Sequence, residues 1–172
     1  MVDWANKNFL QARAPKQKQL YLWSEEPSLG KTHPWAITLR EYFNCYEWSK
    51  GEKQGKELLT CDYILLDEFK AQVTISELKT ISQMMGFSVD TKYGHVTRFG
   101  RNVPLIITSN HPLNLVYKNS VYTDINSCEI RFEVIKVTSY GPLIVTGKHR
   151  IVTGEHFVTG KHFVTGKLGN TS

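Results

Sequence analysis

Leu20-Tyr-Leu-Trp-Ser-Glu-Glu-Pro-Ser-Leu-Gly-Lys-Thr32 is the stretch that decides the fold of this chain. Its first four residues are apolar and predict a short buried strand, and Pro27 and Ser28 predict the turn that ends it. Gly30-Lys31-Thr32 and a helical apolar pattern follow. This order of elements favours a phosphate-binding loop, because backbone N–H groups at such a turn and at a helix N-terminus point toward anionic oxygens.

The predicted nucleotide-binding residues form one short run: Ser28, Leu29, Gly30, Lys31 and Thr32. Lys31 would place a positive charge at the β- and γ-phosphates, and the Thr32 hydroxyl would be a ligand of Mg²⁺. The full pattern has a glycine five residues before Gly30, where this chain has Glu25. The alternative interpretation is an ordinary turn with a solvated lysine.

A second apolar run, Tyr63-Ile-Leu-Leu, ends in Asp67 and Glu68. It predicts a fully buried strand that delivers two carboxylates at its carboxyl end, where nucleotide-binding α/β sheets place their ligand-binding groups. Asp67 would hold Mg²⁺ together with Thr32, and Glu68 would polarise the attacking water. The alternative is an acidic turn after a core strand.

A third buried strand is predicted within residues 101–110, and it ends in Thr-Ser-Asn110. The amide of Asn110 could hydrogen-bond the γ-phosphate or the attacking water. Alternatively, Asn110 caps a helix or turn before His111-Pro112, since asparagine favours such positions. Strands separated by helical patterns predict an α/β fold with a central, largely parallel sheet flanked by helices.

Two further segments lie between these strands. Thr74-Ile-Ser-Glu77 is a capping box, and it predicts a helix from residue 74 to Met85. Residues 87–99 predict two short strands around a turn at Lys92-Tyr93-Gly94. Lys92 and Tyr93 could contact a nucleic-acid backbone and stack on a base. A plain polar hairpin is the alternative.

Composition divides the chain into an arm (1–17), a main domain (18–137) and a tail (138–172) of Val-Thr-Gly-Lys-His-like repeats. The tail carries +3 of the net charge of +5, so the main domain gives no electrostatic argument for nucleic-acid binding. The repeats indicate a low-complexity extension, although each Val-Thr pair could add a small strand. Three scattered cysteines and the absence of a long apolar run predict an intracellular protein without a membrane span.

Taken together, the blocks resemble the superfamily 3 helicase domain over residues 18–137. They are most similar to the C-terminal ATPase of rolling-circle replication initiator (Rep) proteins of circular single-stranded DNA viruses, and next to the helicases of positive-strand RNA viruses. The loop ending in Lys31-Thr32 resembles Walker A, and the strand ending in Asp67-Glu68 resembles Walker B. The Lys92 turn resembles motif B′, and the segment ending in Asn110 resembles motif C. Ile-Arg131-Phe resembles the family segment that supplies an arginine finger.

The resemblance implies a P-loop NTPase of the AAA-like kind, with ATP and Mg²⁺ as cofactors. It implies a replication-associated helicase or translocase on single-stranded DNA, with RNA as the alternative substrate, working as a homo-oligomer, most simply a hexameric ring. Lys92 would touch the strand in the channel, and Arg131 would act on a neighbouring subunit. The location would be the host nucleus for a DNA-virus Rep protein, and otherwise the cytoplasm.

The chain departs from the family in two ways. Glu25 replaces the first loop glycine, so a non-enzymatic relic that only binds nucleotide or nucleic acid is the alternative to an active enzyme. A short arm precedes the loop, and no His-x-His motif of a nicking domain occurs. The expectation is therefore a truncated protein that has the helicase domain alone and does not nick DNA.

Overall fold

Five short parallel strands form the central sheet of the molecule. The computed structural model describes residues 2–33, 35, 38–48, 56–83, 87–90, 96–99, 101–138, 143–145 and 151–153. The strands in this part of the chain are β1 (Gln19–Trp23), β2 (Cys45–Glu47), β3 (Tyr63–Leu66), β4 (Phe87–Asp90), β5 (Val96–Phe99), β6 (Leu105–Ser109), β7 (Phe132–Lys136), β8 (Leu143–Val145) and β9 (Ile151–Thr153). The helices are α1 (Val2–Phe9), α2 (Ile75–Gln83), α3 (Leu113–Val116) and α4 (Tyr122–Glu129), with short 3₁₀ helices at Lys56–Leu59 and Leu39–Glu41.

The strand order in the sheet is β2-β3-β6-β1-β7. The three strands predicted from apolar runs are confirmed as β1, β3 and β6, and their residues are almost all fully buried. Burial on both sides explains why these strands are continuous apolar runs and do not alternate with polar residues. Strand β6 lies between β1 and β3, so the residue that follows β6 is central among the three strand ends.

Helices cover both faces of the sheet. From β1 the chain passes to β2 at one side of the sheet, and the later connections within the sheet run back in the other direction. Right-handed crossovers place these two sets of connections on opposite faces. One face packs against α2, α3 and α4, and the other packs against α1, Trp35 and Leu39. The predicted α/β class, a parallel sheet flanked by helices, is confirmed.

The capping box predicted at the start of α2 is present. Thr74 N donates to Glu77 Oε2 at 2.7 Å, and Glu77 N donates to Thr74 Oγ1 at 3.2 Å. The two bonds satisfy N–H groups that the first helical turn leaves without partners. The described part of the helix ends at Gln83, and the predicted end at Met85 lies outside the described residues.

The two ends of the chain add secondary structure to this core. In the segment predicted as an arm, α1 packs on the sheet and Trp4 is 3% exposed. In the repeat tail, β8 and β9 pair antiparallel, and the later repeats lie outside the described residues. The antiparallel pair β4–β5 is the hairpin predicted over residues 87–99, but its turn, with Lys92 and Tyr93, also lies outside them. In the part of the chain that is described, no helix is long and apolar enough to cross a membrane.

Candidate functional site

The polar residues that follow β1, β3 and β6 meet at the carboxyl end of the sheet. Ser24 follows β1, Asp67 follows β3 and Asn110 follows β6. Hydrogen bonds hold the strand ends in register, from Ser24 N to Ser109 O at 3.2 Å and from Phe69 N to Thr108 O at 2.7 Å. Parallel strands thus bring residues that are far apart in sequence to one small surface.

Lys31 reaches across this surface from the loop that follows β1. Its ammonium donates to Ser24 Oγ at 2.6 Å and to Asn110 Oδ1 at 3.0 Å. Burial lowers the pKa of Lys31, and the nearby carboxylates of Asp67 and Glu68 act in the opposite direction. The positive charge is therefore held by neutral oxygens that a more strongly charged ligand could replace.

Thr32 and Asp67 form the second part of the site. Thr32 Oγ1 donates to Asp67 Oδ1 at 2.6 Å, and Thr108 Oγ1 donates to the same carboxylate oxygen. The backbone N–H of Glu68 also donates to Asp67 Oδ1, at 3.0 Å. Hydroxyl and carboxylate oxygens are the ligands that Mg²⁺ prefers, so this donor set fits the cation.

The metal site would be only partly built from protein. Among the described residues, no group of three or more His, Cys, Asp or Glu side chains could hold a metal ion. Mg²⁺ usually keeps several waters and takes further oxygens from substrate phosphates, so one carboxylate and one hydroxyl are enough for such a site. The geometry therefore suits a cation that arrives with a phosphate ligand.

The backbone of the loop before Lys31 has an unusual conformation. Ser28 and Gly30 have positive φ values of 64° and 69°, whereas Leu29 between them does not. Left-handed residues of this kind occur in tight turns, including loops that bind anions. A left-handed conformation costs a non-glycine residue such as Ser28 roughly 1–2 kcal/mol. Strain of this kind is typical of functional sites.

Glu68 also has a positive φ, 48°, directly after the Asp67 carboxylate. Its backbone N–H is held by Asp67 Oδ1 and by Thr108 Oγ1, the latter at 3.3 Å, and the residue itself is exposed. The carboxylate predicted to polarise water thus belongs to an exposed residue at the rim of the site. Positive φ values also occur outside the site, at Lys16 before β1 and at Ala71.

The alternative role of Asn110 as a helix cap is not what the structure shows. The N-cap of α3 is Pro112, and the Asn110 side chain instead accepts the bond from Lys31.

Glu25 occupies the position of the missing loop glycine and forms an ion pair with Lys136 of β7. Its Oε1 atom lies 2.9 Å from Lys136 Nζ, at the carboxyl end of β7. The same ammonium lies 4.9 Å from the centroid of the Trp23 ring.

Arg131 is not part of this site within one chain. It precedes β7 and therefore lies at the amino end of the sheet, opposite to Lys31 and Asp67. Its Nη1 atom is buried without a hydrogen-bond partner among the described residues. The alternative ion pair with Glu129 or Glu133 does not occur in that part of the chain.

Three site residues were missed by sequence reasoning: Ser24, Thr108 and Lys136. The first two could have been found, because hydroxyl residues at the carboxyl ends of predicted parallel strands face the same ligand region. Lys136 carries no such local signal, since its contact with Glu25 spans 111 residues.

The fold and the site together define an α/β protein with the Lys31 ammonium, three hydroxyls, the Asn110 amide and the carboxylates of Asp67 and Glu68 at the carboxyl end of a parallel sheet. No model of a known protein family matches the chain, and a search of the curated proteins gives no match either.

Proposed function

We propose that this chain binds a magnesium–nucleoside triphosphate, ATP in the first place, at the carboxyl end of the sheet and hydrolyses it. One observation carries the proposal: Lys31 contacts Asn110 across 79 residues, and Thr32 contacts Asp67 across 35 residues. Four residues chosen for nucleotide chemistry from their sequence context therefore meet in one place. Three separate strands deliver them, so a single local turn does not account for the cluster.

Each residue has a defined task in this mechanism. Lys31 exchanges its Ser24 and Asn110 oxygens for phosphate oxygens and neutralises their charge. The amide of Asn110, released from Lys31, donates a hydrogen bond to the γ-phosphate or to the attacking water. Thr32 and Asp67 would hold Mg²⁺, which would offset the negative charge that develops on the phosphate oxygens.

Glu68 is the residue that orients and polarises the attacking water. A carboxylate can do so when it lies within hydrogen-bond reach of that water in the complex. Its exposed position after Asp67 leaves room for water beside the terminal phosphate.

We extend the proposal to movement along single-stranded nucleic acid by a ring of identical subunits, with DNA as the first candidate and RNA as the second. The support is the resemblance of the sequence blocks and the antiparallel pairing of β4 with β5, which Lys92 and Tyr93 connect in the sequence. The position of Arg131 also fits a ring, because a residue at the amino end of the sheet could serve only the site of a neighbour.

The test is ATP turnover by the purified chain with Mg²⁺, with and without single-stranded DNA or RNA. Lys31→Ala should abolish turnover while the fold remains intact. Lys79→Ala is the matched control, since it removes a lysine whose partner is Asp124, between α2 and α4. Equal rates in the wild type and in Lys31→Ala would contradict the phosphate-binding role. Nucleotide binding without any turnover would favour the alternative, a non-enzymatic relic that only binds nucleotide or nucleic acid.

A further inference from the structure

The residue at the position of the missing glycine creates an electrostatic problem for the proposed site. Glu25 begins the loop that ends in Lys31, and Ser24, directly before it, accepts a hydrogen bond from the Lys31 ammonium. A carboxylate that points into this loop would repel a polyphosphate and compete for Lys31. The structure gives the carboxylate another partner, because Glu25 Oε1 lies 2.9 Å from Lys136 Nζ.

Sheet pairing fixes the position of Lys136. Strand β7 runs parallel to β1, and Lys136 is the register partner of Trp23. The pairing continues beyond the strand with a bond from Val137 N to Trp23 O at 2.8 Å. The ammonium also lies over the Trp23 ring, 4.9 Å from its centroid, which restricts where the charge can go. A cation is thus held at the point where the loop leaves the sheet.

We propose that Lys136 is a positioning residue of the phosphate loop, which holds the Glu25 carboxylate against β7 and neutralises it, so that the loop can accept a polyphosphate without its first glycine. This inference rests on the proposed nucleotide site. It makes Glu25 compatible with an active enzyme, and it adds β7 to the strands that shape the site.

Fold stability gives little reason for the pair. The Lys136 and Glu25 side chains are 46% and 71% exposed, and ion pairs as exposed as this contribute little to folding. The effect of the Lys136–Glu25 ion pair should therefore appear in the affinity for the ligand. A released carboxylate a few ångströms from a phosphate would weaken binding about five-fold, even with water-like screening.

The experiment is a double-mutant cycle on the whole chain. Calorimetry measures the Kd of MgATP and of magnesium tripolyphosphate for Lys136→Met, Glu25→Gln and the double variant. We expect Lys136→Met alone to raise both Kd values about five-fold. In the Glu25→Gln background the same change should raise them less than about two-fold, because the charge to be neutralised is gone.

Two further variants complete the design. Lys136→Arg keeps the positive charge, so both of its Kd values should stay within about two-fold of those of the wild type. Lys79→Met removes the lysine of the Asp124 pair and should leave both Kd values unchanged. Thermal unfolding of each variant shows whether it is folded.

The outcomes separate the two proposals. If Lys136→Met weakens binding equally in both backgrounds, Lys136 contacts phosphate directly and the role through Glu25 is wrong. If it changes neither Kd, the positioning role is wrong, while the nucleotide site stands. If the wild type binds neither MgATP nor tripolyphosphate, the proposed function fails, and the role of Lys136 fails with it.

Discussion

The two ends of the central sheet use polar side chains in different ways. At the carboxyl end, Lys31 binds Asn110 and Thr32 binds Asp67 through side-chain atoms. At the amino end, the buried Gln19 side chain binds two backbone groups, and its Oε1 atom also accepts from Arg13 Nη2 at 3.1 Å. Gln19 donates to Ser82 O at 3.0 Å and accepts from Leu105 N at 2.8 Å.

Such a difference is what we expect between polar groups that hold the fold together and polar groups that bind a ligand. A side chain that satisfies a buried backbone group cannot leave it without cost, because the backbone group would lose its partner. Side chains that satisfy each other can exchange partners when a ligand brings equivalent groups. Backbone strain does not follow this division, since Ser28 and Glu68 lie at the carboxyl end whereas Lys16, with a φ of 60°, precedes β1 at the amino end.

Asp67→Asn should give the largest effect. The substitution keeps the shape of the side chain but removes the charge that would bind Mg²⁺. Because the metal contributes several kcal/mol to such reactions, turnover should fall at least about 10³-fold. The measurement is kcat/KM over a range of Mg²⁺ concentrations. Asp62→Asn, at the amino end near Arg101, is the matched control and should turn over ATP normally. A variant at Asp67 that keeps a tenth of the activity would contradict the metal site.

Arg131→Ala tests the one residue at the amino end for which we predict a role in turnover. A guanidinium that reaches the nucleotide of a neighbour should contribute about 10³-fold to turnover, with a smaller effect on ATP binding. The structure leaves the Nη1 atom of Arg131 buried without a partner in the described part of the chain, so the guanidinium would have to turn outward to reach a neighbouring subunit.

Mixing subunits is the decisive measurement for Arg131. Rings of Arg131→Ala alone and of Lys31→Ala alone should be inactive. Mixed rings should recover some activity, because some interfaces then pair an intact loop with an intact arginine. Assembled mixtures that stay inactive would show that Arg131 does not act between subunits. Full activity of Arg131→Ala would make this arginine structural, in line with the rest of the amino end.

Gln19→Leu should affect stability and leave the site unchanged. It removes the partners of two buried backbone groups, Ser82 O and Leu105 N, so the free energy of unfolding should fall by about 2–4 kcal/mol. Urea denaturation measures this change. Gln11→Leu alters an exposed residue and is the control. Its free energy of unfolding should stay within about 0.5 kcal/mol of the wild-type value. If ATP turnover per folded molecule fell as well, the two ends of the sheet would not be independent.

The titration of one buried thiol should give the smallest effect. Burial raises the pKa of Cys61 and of Cys128 from 9.0 to about 11, and it also raises the pKa of Tyr21, Tyr63 and Tyr117, which add to the loss of stability at alkaline pH. Below about pH 8 both thiols are almost fully protonated in the native and in the unfolded chain. Between about pH 9 and 11 the unfolded chain releases protons that the native chain keeps, so the free energy of unfolding falls as pH rises.

We expect a loss of about 1–2 kcal/mol per thiol over this interval, measured by urea denaturation at several pH values. Cys61→Ala removes one titrating group and should flatten the dependence between pH 9 and 10. A slope identical to that of the wild type would show that the Cys61 thiol is not protected by the fold. Comparing slopes separates this effect from the general stability loss caused by the substitution.

The sequence alone determined the elements that build the site. The apolar runs before Ser24, Asp67 and Asn110 specify buried strands, and the capping box at Thr74 specifies the start of α2. These features are local, because strand burial, turns and caps depend on a few neighbouring residues. The carboxyl ends of the three strands lie close together because the sheet is parallel. The roles of individual residues stay predictions, namely those of Lys31, Thr32, Asp67, Glu68, Asn110, Lys92 and Tyr93.

Only the tertiary structure decided which side chains meet. Strand β6 lies between β1 and β3, so Asn110 reaches Lys31, and β7 lies beside β1, so Lys136 reaches Glu25. Neither contact has a local signal, because strand order is set by how helices cover the two faces of the sheet. The chain fixes the ends of its strands locally, whereas the neighbours of those ends depend on packing that involves the whole domain.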